Sequence, residues 1–547
     1  MNSNGSIPLE RLLWVFLWLL VLVVGTWLRL WQIGHQILLD DEWHAIHRLM
    51  HADYRDIFLS FGHADYSIPL TLLFKFLAET IGLSEWRLRA LPLAFGIATI
   101  IALPWVMRPW LAPNEQWLFG ALIAISPLLI NFTRYVRPYA LTVPLGFIAM
   151  VALWRWWHER QRAWAAVFVV AATACAWLHP LTLLFTGGGL LWFGLAALGR
   201  WWAGQGAEAF WRIVPIGLLT TILCAALVLP PLLADPDAVS AKSGIHQLQW
   251  VTFVRAWELL AGTAVWLPAL VMLLLFGAGV VRLFRRDRRF LGYWVFMAII
   301  TIIAISQLDA AWIHHALVLV RYSAVLQPLV LMIVALGLIG LINLVSRMSA
   351  APRASLISSV ILMPALFLML YFSGPLPQVY SGINQFANSM RYHFDYDFER
   401  SVYSPLMAQA KLPDFYQRIV DEPGDWVLVE TPWYFESFYN PLSEYQRHHQ
   451  LPVRIGMMTG LCADWVHGEL RRDTDQHIIF RRFVFLADLL DQPASENRFV
   501  IFHLGSPFDE VRELPDLQPC IQAYLEHFGD PWYEDQAHVV FRLPRDS

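Results

Sequence analysis

Two kinds of charged residue in this sequence could work together on a phosphate and a hydroxyl. The stretch "LLDDEWHAIHRLM", Leu38 to Met50, sets Asp40, Asp41 and Glu42 side by side, with His44 and His47 close behind. "NFTRYVRPYAL" carries Arg134, Arg137 and Tyr139, "WLHPL" carries His179, "WIHHAL" carries His314 and His315, and "LVRYSAVLQP" carries Arg321. A carboxylate of suitable pKa can take the proton of an acceptor hydroxyl. Arginine stays charged and forks two donors onto phosphate oxygens. One phosphate and one hydroxyl acceptor would therefore use both charge types. Plainer roles fit the same residues. A solvated loop is acidic without being catalytic, and Arg134 and Arg137 would equally anchor a helix end to lipid headgroups. His44 and His47, three apart, could serve a metal or simply a wet helix face. Adjacent His314 and His315 would point apart on a helix.

These residues need elements that bring them to one boundary. The 547-residue chain is 57% hydrophobic and 14% aromatic, with only 15% charged residues. A soluble domain of this length has no use for so much apolar surface, so the composition predicts a polytopic α-helical membrane protein. Many of its 27 tryptophans, among them Trp27, Trp31, Trp105, Trp110, Trp201 and Trp202, stand near the ends of apolar runs as an interfacial belt would. About eleven runs of spanning length are expected, at 10–32, 87–107, 115–132, 138–157, 163–178, 181–199, 209–232, 265–283, 290–307, 316–345 and 354–372. The run at 316–345 is long enough for one tilted helix. The first run is too long for a signal-peptide core and lacks a small-residue cleavage site, so it is expected to remain as the first transmembrane helix.

Arginines set the expected orientation. With the N-terminus inside, the predicted inside connections carry thirteen arginines, while the short outside connections carry five basic residues. Loop 33–86 then lies outside, and an odd helix count puts the C-terminal tail there too. Within that loop "EWHAIHRLMHADYRDIFLSF" has the spacing of a helix lying on the membrane. Residues 373–547 hold 14 Lys and Arg against 26 Asp and Glu, a net of −12, whereas the whole chain is −4. Strand-like runs recur there at "WVLVET" (426–431), "VRIGMM" (453–458), "RFVIFHL" (498–504) and "HVVFRL" (538–543). Amphipathic stretches alternate with them, which predicts a soluble C-terminal α/β domain over 373–547 after a membrane domain over 1–372.

The tail has no Gly-rich phosphate loop or nucleotide fingerprint, and its acidity gives no reason to expect nucleic acid. Cys175 and Cys224 fall in apolar runs and read as small core residues. Cys462 and Cys520 could pair if the tail is outside, a point the sequence leaves open. A transporter or lipid flippase would favour charges deep inside the runs and inverted repeats; the run interiors are nearly free of charge and no repeat stands out. A non-catalytic envelope-assembly factor with an acidic recruiting domain is a further alternative. It predicts that Asp41 and Arg137 are dispensable.

The order of these segments resembles the GT-C glycosyltransferases of the protein-O-mannosyltransferase and aminoarabinose-transferase type. The resemblance is carried by Asp41-Glu42 after helix one, by "ADYSIPLTLLFKFLAETIGLSEWRLRALPLAFG", by "ALIAISPLLINFTRYVRPYAL" and by "RYSAVLQPLVLMIVALGL". It covers the first 180 or so residues by motif and the rest by architecture. Such enzymes take a sugar from a polyprenyl-phosphate carrier and hand it to a hydroxyl acceptor on the outer face of a bacterial inner membrane. The resemblance implies Asp41 as the base with Glu42 beside it. It implies Arg137, then Arg134 and Arg321, on the donor phosphate. Asp40, His44, Tyr139 and His179 are candidate substrate contacts. Transfer by direct attack would invert the anomeric centre. The resemblance calls for no nucleotide sugar, cofactor or catalytic metal, although the His- and Asp-rich first loop leaves room for a divalent ion. "SIPL" departs from the family pattern, with Ile68 where a second proline is common.

Overall fold

The protein is described here from a computed structural model, which covers residues 9–35, 37–38, 42, 46, 49, 52–62, 67–240, 243–244, 246–311, 313–348, 354–380, 412–432, 442–462, 483–491, 495–505 and 516–545. Seven helices among them are long and apolar enough to cross a bilayer, and a bent pair makes an eighth. The protein is a multi-pass membrane protein. In chain order the helices of the membrane part are α1 (Leu9–Leu30), α2 (Tyr54–Leu59), α3 (Ile68–Thr80), α4 (Glu85–Val106), α5 (Pro113–Ile125), α6 (Pro127–Thr133), α7 (Tyr139–Glu159) and α8 (Arg162–Leu178). They continue as α9 (Thr182–Trp202), α10 (Glu208–Ala234), α11 (Trp250–Ala261), α12 (Trp266–Gln307), α13 (Ala316–Tyr322), α14 (Gln327–Met348) and α15 (Ala354–Ser373). Every one of the expected apolar runs is helical.

Prolines and one aspartate decide where the runs break. Pro127 has no N–H to continue α5, and Ser126, extended at φ −61° and ψ 115°, caps α6 instead. The two pieces meet at 61°. The run at 316–345 is not one tilted helix: a 3₁₀ turn, Ala324–Leu326, separates α13 from α14. Pro328 explains the break, because its ring excludes the α-helical turn that would precede it. α12 has 42 residues, about 63 Å at the α-helical rise, twice a bilayer's apolar thickness. Asp287 leaves the helix at φ −153°, and its carboxylate accepts from the Phe290 N–H at 3.0 Å. It therefore caps a second span that follows an arginine-rich turn. Where the first half of α12 crosses α14 there is no room for a side chain. A Cβ on Gly279 would stand 1.8 Å from the Ile333 carbonyl oxygen, and one on Gly337 would stand 1.9 Å from that of Leu275. Close crossings of this kind are how helices gain packing in a solvent as apolar as themselves.

Beyond the membrane helices lie α16 (Asp414–Asp421), β1 (Trp426–Thr431), α17 (Leu442–His449), β2 (Val453–Met457), β3 (Phe483–Phe485), β4 (Asn497–His503), α18 (Gln518–Phe528), β5 (Tyr533–Glu534) and β6 (His538–Leu543). The sheet runs β3-β2-β1-β4-β6-β5, its first four strands parallel, with β6 antiparallel to β4. The four predicted strands are present. Leu428, Phe499, Ile501 and Val540 face one buried cluster, and Val429, Val500, Phe502 and Phe541 face another against α18. Burial on both faces accounts for strands that read as continuous apolar runs. Cys462 and Cys520 form a disulfide that ties the turn after β2 to the first turn of α18.

The sheet's first cluster also contains Ile37, Leu38, Ile46 and Leu49 of the first loop, Val136 and Ala140 after α6, and Leu178 at the end of α8. The α/β domain thus sits on the membrane end where those connections emerge. In the first loop Glu42, Ile46 and Leu49 are helical and buried, and α2 follows with a capping box at Asp53.

Candidate active site

The broken span creates the demand that the first buried arginine meets. The carbonyl of Ile123 would bond to the N–H of residue 127, which proline lacks, and that of Ala124 loses its partner to the bend. Arg29, fully buried, donates to both, at 3.0 Å and 2.8 Å, and to Gly25 of its own helix at 2.9 Å. Arg134 repeats the device one layer outward. It ends α6 and donates to the carbonyls of Arg29, at 3.1 Å, and Trp31, at 2.5 Å, so a positive charge closes the C-terminus of α1.

A carboxylate forms the second fastening. Glu42 is 2% exposed, and Arg89 grips it with two donors, Nε to Oε1 at 3.2 Å and NH2 to Oε2 at 2.9 Å. The Val136 N–H adds a third bond to Oε1 at 2.9 Å. Arg89 reaches further, to the carbonyls of Ile33 at 2.7 Å and Ile37 at 3.3 Å. A buried ion pair is tolerable only when hydrogen bonds satisfy the remaining lone pairs and protons, as they do here. Glu42 thereby locks the first loop to α4 and to the Arg134–Pro138 turn.

That turn presents Arg137 and Tyr139. Its backbone doubles back tightly, the Arg137 N–H reaching the Tyr135 carbonyl at 2.7 Å, and Arg137 as a whole is 8% exposed. Tyr139 opens α7 against Phe132, ring centroids 5.0 Å apart. His179, at the C-cap of α8, lies 6.1 Å from the Tyr139 ring and 5.9 Å from that of Tyr322. The Arg321 guanidinium carbon stands 5.8 Å from the Tyr139 ring centroid. Three sequence candidates, Tyr139, His179 and Arg321, are therefore gathered from three separated stretches of chain into one neighbourhood, and Arg137 stands two residues before Tyr139 in the turn that opens α7. His315 borders it: burial, with Arg321 and His314 beside it, pushes its imidazole down to about 4. It is neutral near pH 7 and adds no charge to the arginines. His314 pairs with His246, ring centroids 4.5 Å apart.

The other candidates fall apart into two groups. Glu42 and Arg134 have the anchoring contacts just described. Asp40, Asp41, His44 and His47 lie outside the described residues. Among the described residues no three His, Cys, Asp or Glu side chains gather as a metal site. Three residues with central roles carried no assignment in the sequence: Arg29, Arg89 and Gln446. An arginine inside or at the mouth of an apolar run must find partners, and that was a usable signal for the first two. Gln446 had none. It is buried, accepts from the Ile37 N–H at 3.0 Å and donates to the His35 carbonyl at 3.2 Å.

No family model and no curated protein matches the chain. Among solved structures, it is similar to ArnT from Cupriavidus metallidurans in the apo state, at 11% identity and a TM-score of 0.49, over 98% of this chain and 100% of that one. It is similar to the same protein bound to undecaprenyl phosphate, at 13% and 0.45, over 99% and 100%. It is also similar to the archaeal oligosaccharyltransferase AglB from Archaeoglobus fulgidus, in complex with an inhibitory peptide and a dolichol-phosphate, at 10% and 0.41, over 96% and 72%. Likenesses at this level carry no argument about activity; the chain's own residues do.

Proposed function

We propose that the protein is a membrane glycosyltransferase, which transfers a sugar from a polyprenyl-phosphate carrier to a hydroxyl acceptor with inversion at the anomeric carbon. The observation that carries this reading is the convergence of Arg321, Tyr139 and His179, next to the turn that carries Arg137, at the membrane end where the first loop is anchored through Glu42. Arginines at a membrane end suit a lipid phosphate, and carboxylates adjacent in sequence to the anchored Glu42 suit a base.

In this reading Asp41 takes the proton of the acceptor hydroxyl as its oxygen bonds to the anomeric carbon. The bond from that carbon to the carrier phosphate breaks, and the phosphate leaves with both electrons. Arg137 and Arg321 stabilise the charge that develops on it. Glu42, fully committed to Arg89 and Val136, positions its neighbour Asp41, and Arg134 holds the turn that presents Arg137. Tyr139 and His179 line the sugar's side, with Asp40 and His44 as further contacts. The reaction so written needs no cofactor or metal. The Cys462–Cys520 disulfide supports an oxidising, periplasmic-type compartment for this end of the molecule.

The test uses purified protein in detergent and a panel of polyprenyl-phosphate monosaccharides. Slow release of free sugar by wild type is expected, and Asp41→Asn and Arg137→Ala variants of equal thermal stability should lose it at least about a hundredfold. Turnover untouched by both substitutions would refute the assignment of the two roles. No turnover of any carrier-linked sugar would refute the reaction.

A further inference from the structure

We infer that the C-terminal domain is a working part of this site, with Gln446 as the positioning residue that fixes the backbone leading into the acidic stretch. The inference deepens the proposed function and rests on it for the identity of the base.

One peptide segment is gripped from two sides. The N–H of Ile37 donates to Oε1 of Gln446 at 3.0 Å, while the carbonyl of Ile37 accepts from Arg89 at 3.3 Å. Gln446 also donates to the carbonyls of His35, at 3.2 Å, and of Leu451, at 3.4 Å. The same Arg89 holds Glu42. Ile37 and Glu42, which flank Asp40 and Asp41 in sequence, are therefore fastened, the first by both domains and the second by α4 and the Val136 N–H. Fixing the flanks of a base lowers the entropy that ordering it costs, and a base held in advance is worth orders of magnitude in rate.

Gln446 is itself rigidly mounted. On the same helix, α17, Tyr445 packs on Tyr416 at 5.3 Å and His449 stacks on it at 5.0 Å and 12°. The Tyr416 hydroxyl donates to Glu430 of β1 at 2.9 Å, and Glu430 pairs with His503 of β4 at 2.7 Å. A run of contacts, polar from His503 to Tyr416 and aromatic from there to α17, thus links the centre of the sheet to the helix that carries Gln446. A second contact, His35 Nε2 with the Gln450 carbonyl at 3.2 Å, lies beside the first. Glutamine suits the position because one amide supplies the acceptor for Ile37 and the donors for His35 and Leu451. Methionine would fill the volume and supply neither.

The test is Gln446→Met in the full-length protein, beside wild type and a Cys462→Ser/Cys520→Ser variant that weakens the same domain without touching the clamp. Three quantities are read: kcat for carrier-linked sugar hydrolysis, the affinity for undecaprenyl phosphate alone, and amide hydrogen exchange in peptides covering Ile37. Gln446→Met should lower kcat about 10- to 100-fold, leave undecaprenyl phosphate affinity within about threefold because the arginines are intact, and speed exchange at Ile37. An unchanged kcat would overturn the inference. So would a fall in kcat, affinity and thermal midpoint together that the disulfide-free variant reproduces, since that describes general weakening. If wild type turned over no carrier-linked sugar, the functional reading would fall by itself. Exchange would then decide the clamp: faster in Gln446→Met upholds it, unchanged overturns it.

Discussion

The two ends of the membrane domain each hold a buried carboxylate in the grip of arginine, and they hold it differently. At one end Glu115, whose side chain is wholly buried, bonds to Arg282 at 2.6 Å and to Arg286 at 2.8 Å, with those arginines 26% and 34% exposed. At the other, the side chains of Glu42 and Arg89 are each 1% exposed. The first pair staples the turn between α4 and α5 to the α12 hairpin at the water's edge. The second sits inside protein and ties the first loop to α4 and to the turn before α7. Arginine number alone does not separate these uses, since Arg285, Arg288 and Arg289 beside the first pair are exposed, whereas Arg29, Arg89, Arg134 and Arg137 at the other end are buried. Exposed arginines report orientation; buried ones report construction.

The comparison would break most visibly at Arg89. Arg89→Met should cost about 3–5 kcal/mol by stranding the Glu42 charge in a dry interior, read as a large drop in thermal midpoint, and Arg89→Met/Glu42→Met should recover much of it. A neutral single substitution would mean that Glu42 reaches water. Glu115→Gln should cost only about 1–2 kcal/mol, because Arg282 and Arg286 can turn to solvent, and turnover should stay at the wild-type level. A loss of turnover there would show that the two ends are coupled.

A smaller effect should appear with pH in the sheet domain. Burial, then the neighbouring His448, lowers the His449 imidazole to about 3. Its folded-state value is below the unfolded one, so the stability it permits is complete above about pH 6.5 and is lost as pH falls from there toward 3. His449→Phe, which keeps the ring against Tyr416, should flatten the acid limb of the thermal midpoint. An unchanged limb would place the acid sensitivity elsewhere. Replacing Arg285, Arg288 and Arg289 by glutamine should shift stability by no more than about 0.5 kcal/mol each, with topology as the quantity at risk, checked by cysteine labelling from either side of the membrane.

Much of the scaffold was legible because it follows from periodicity and covalent chemistry. The apolar runs, the four long strands and the arginine-rich turn before Phe290 need only local rules. The breaks at Pro127 and Pro328 follow from a missing N–H, yet how far a break bends the chain depends on what fills the corner, here the Arg29 guanidinium. β3 and β5, three and two residues long, are too short for a pattern to show. Tyr139, His179 and Arg321 were legible as types but not as neighbours, since only packing joins stretches so distant in sequence. Gln446 was illegible for a stronger reason. An amide that bonds to backbone reads no side-chain identity in its partner, so the sequence holds no complementary residue to betray the pair.

The interruption ahead of Pro328 sets Arg321 apart from the span that follows. Below it, α14 is locked backbone to backbone against α12 at Gly279 and Gly337, a joint with no slack. Above it, the seven residues of α13 that carry Arg321 end in a separate 3₁₀ turn. The arginine is thus mounted on a short bracket, separate from the beam that spans the bilayer, and the bracket's own buried residues, Leu317 to Val320, set where it sits.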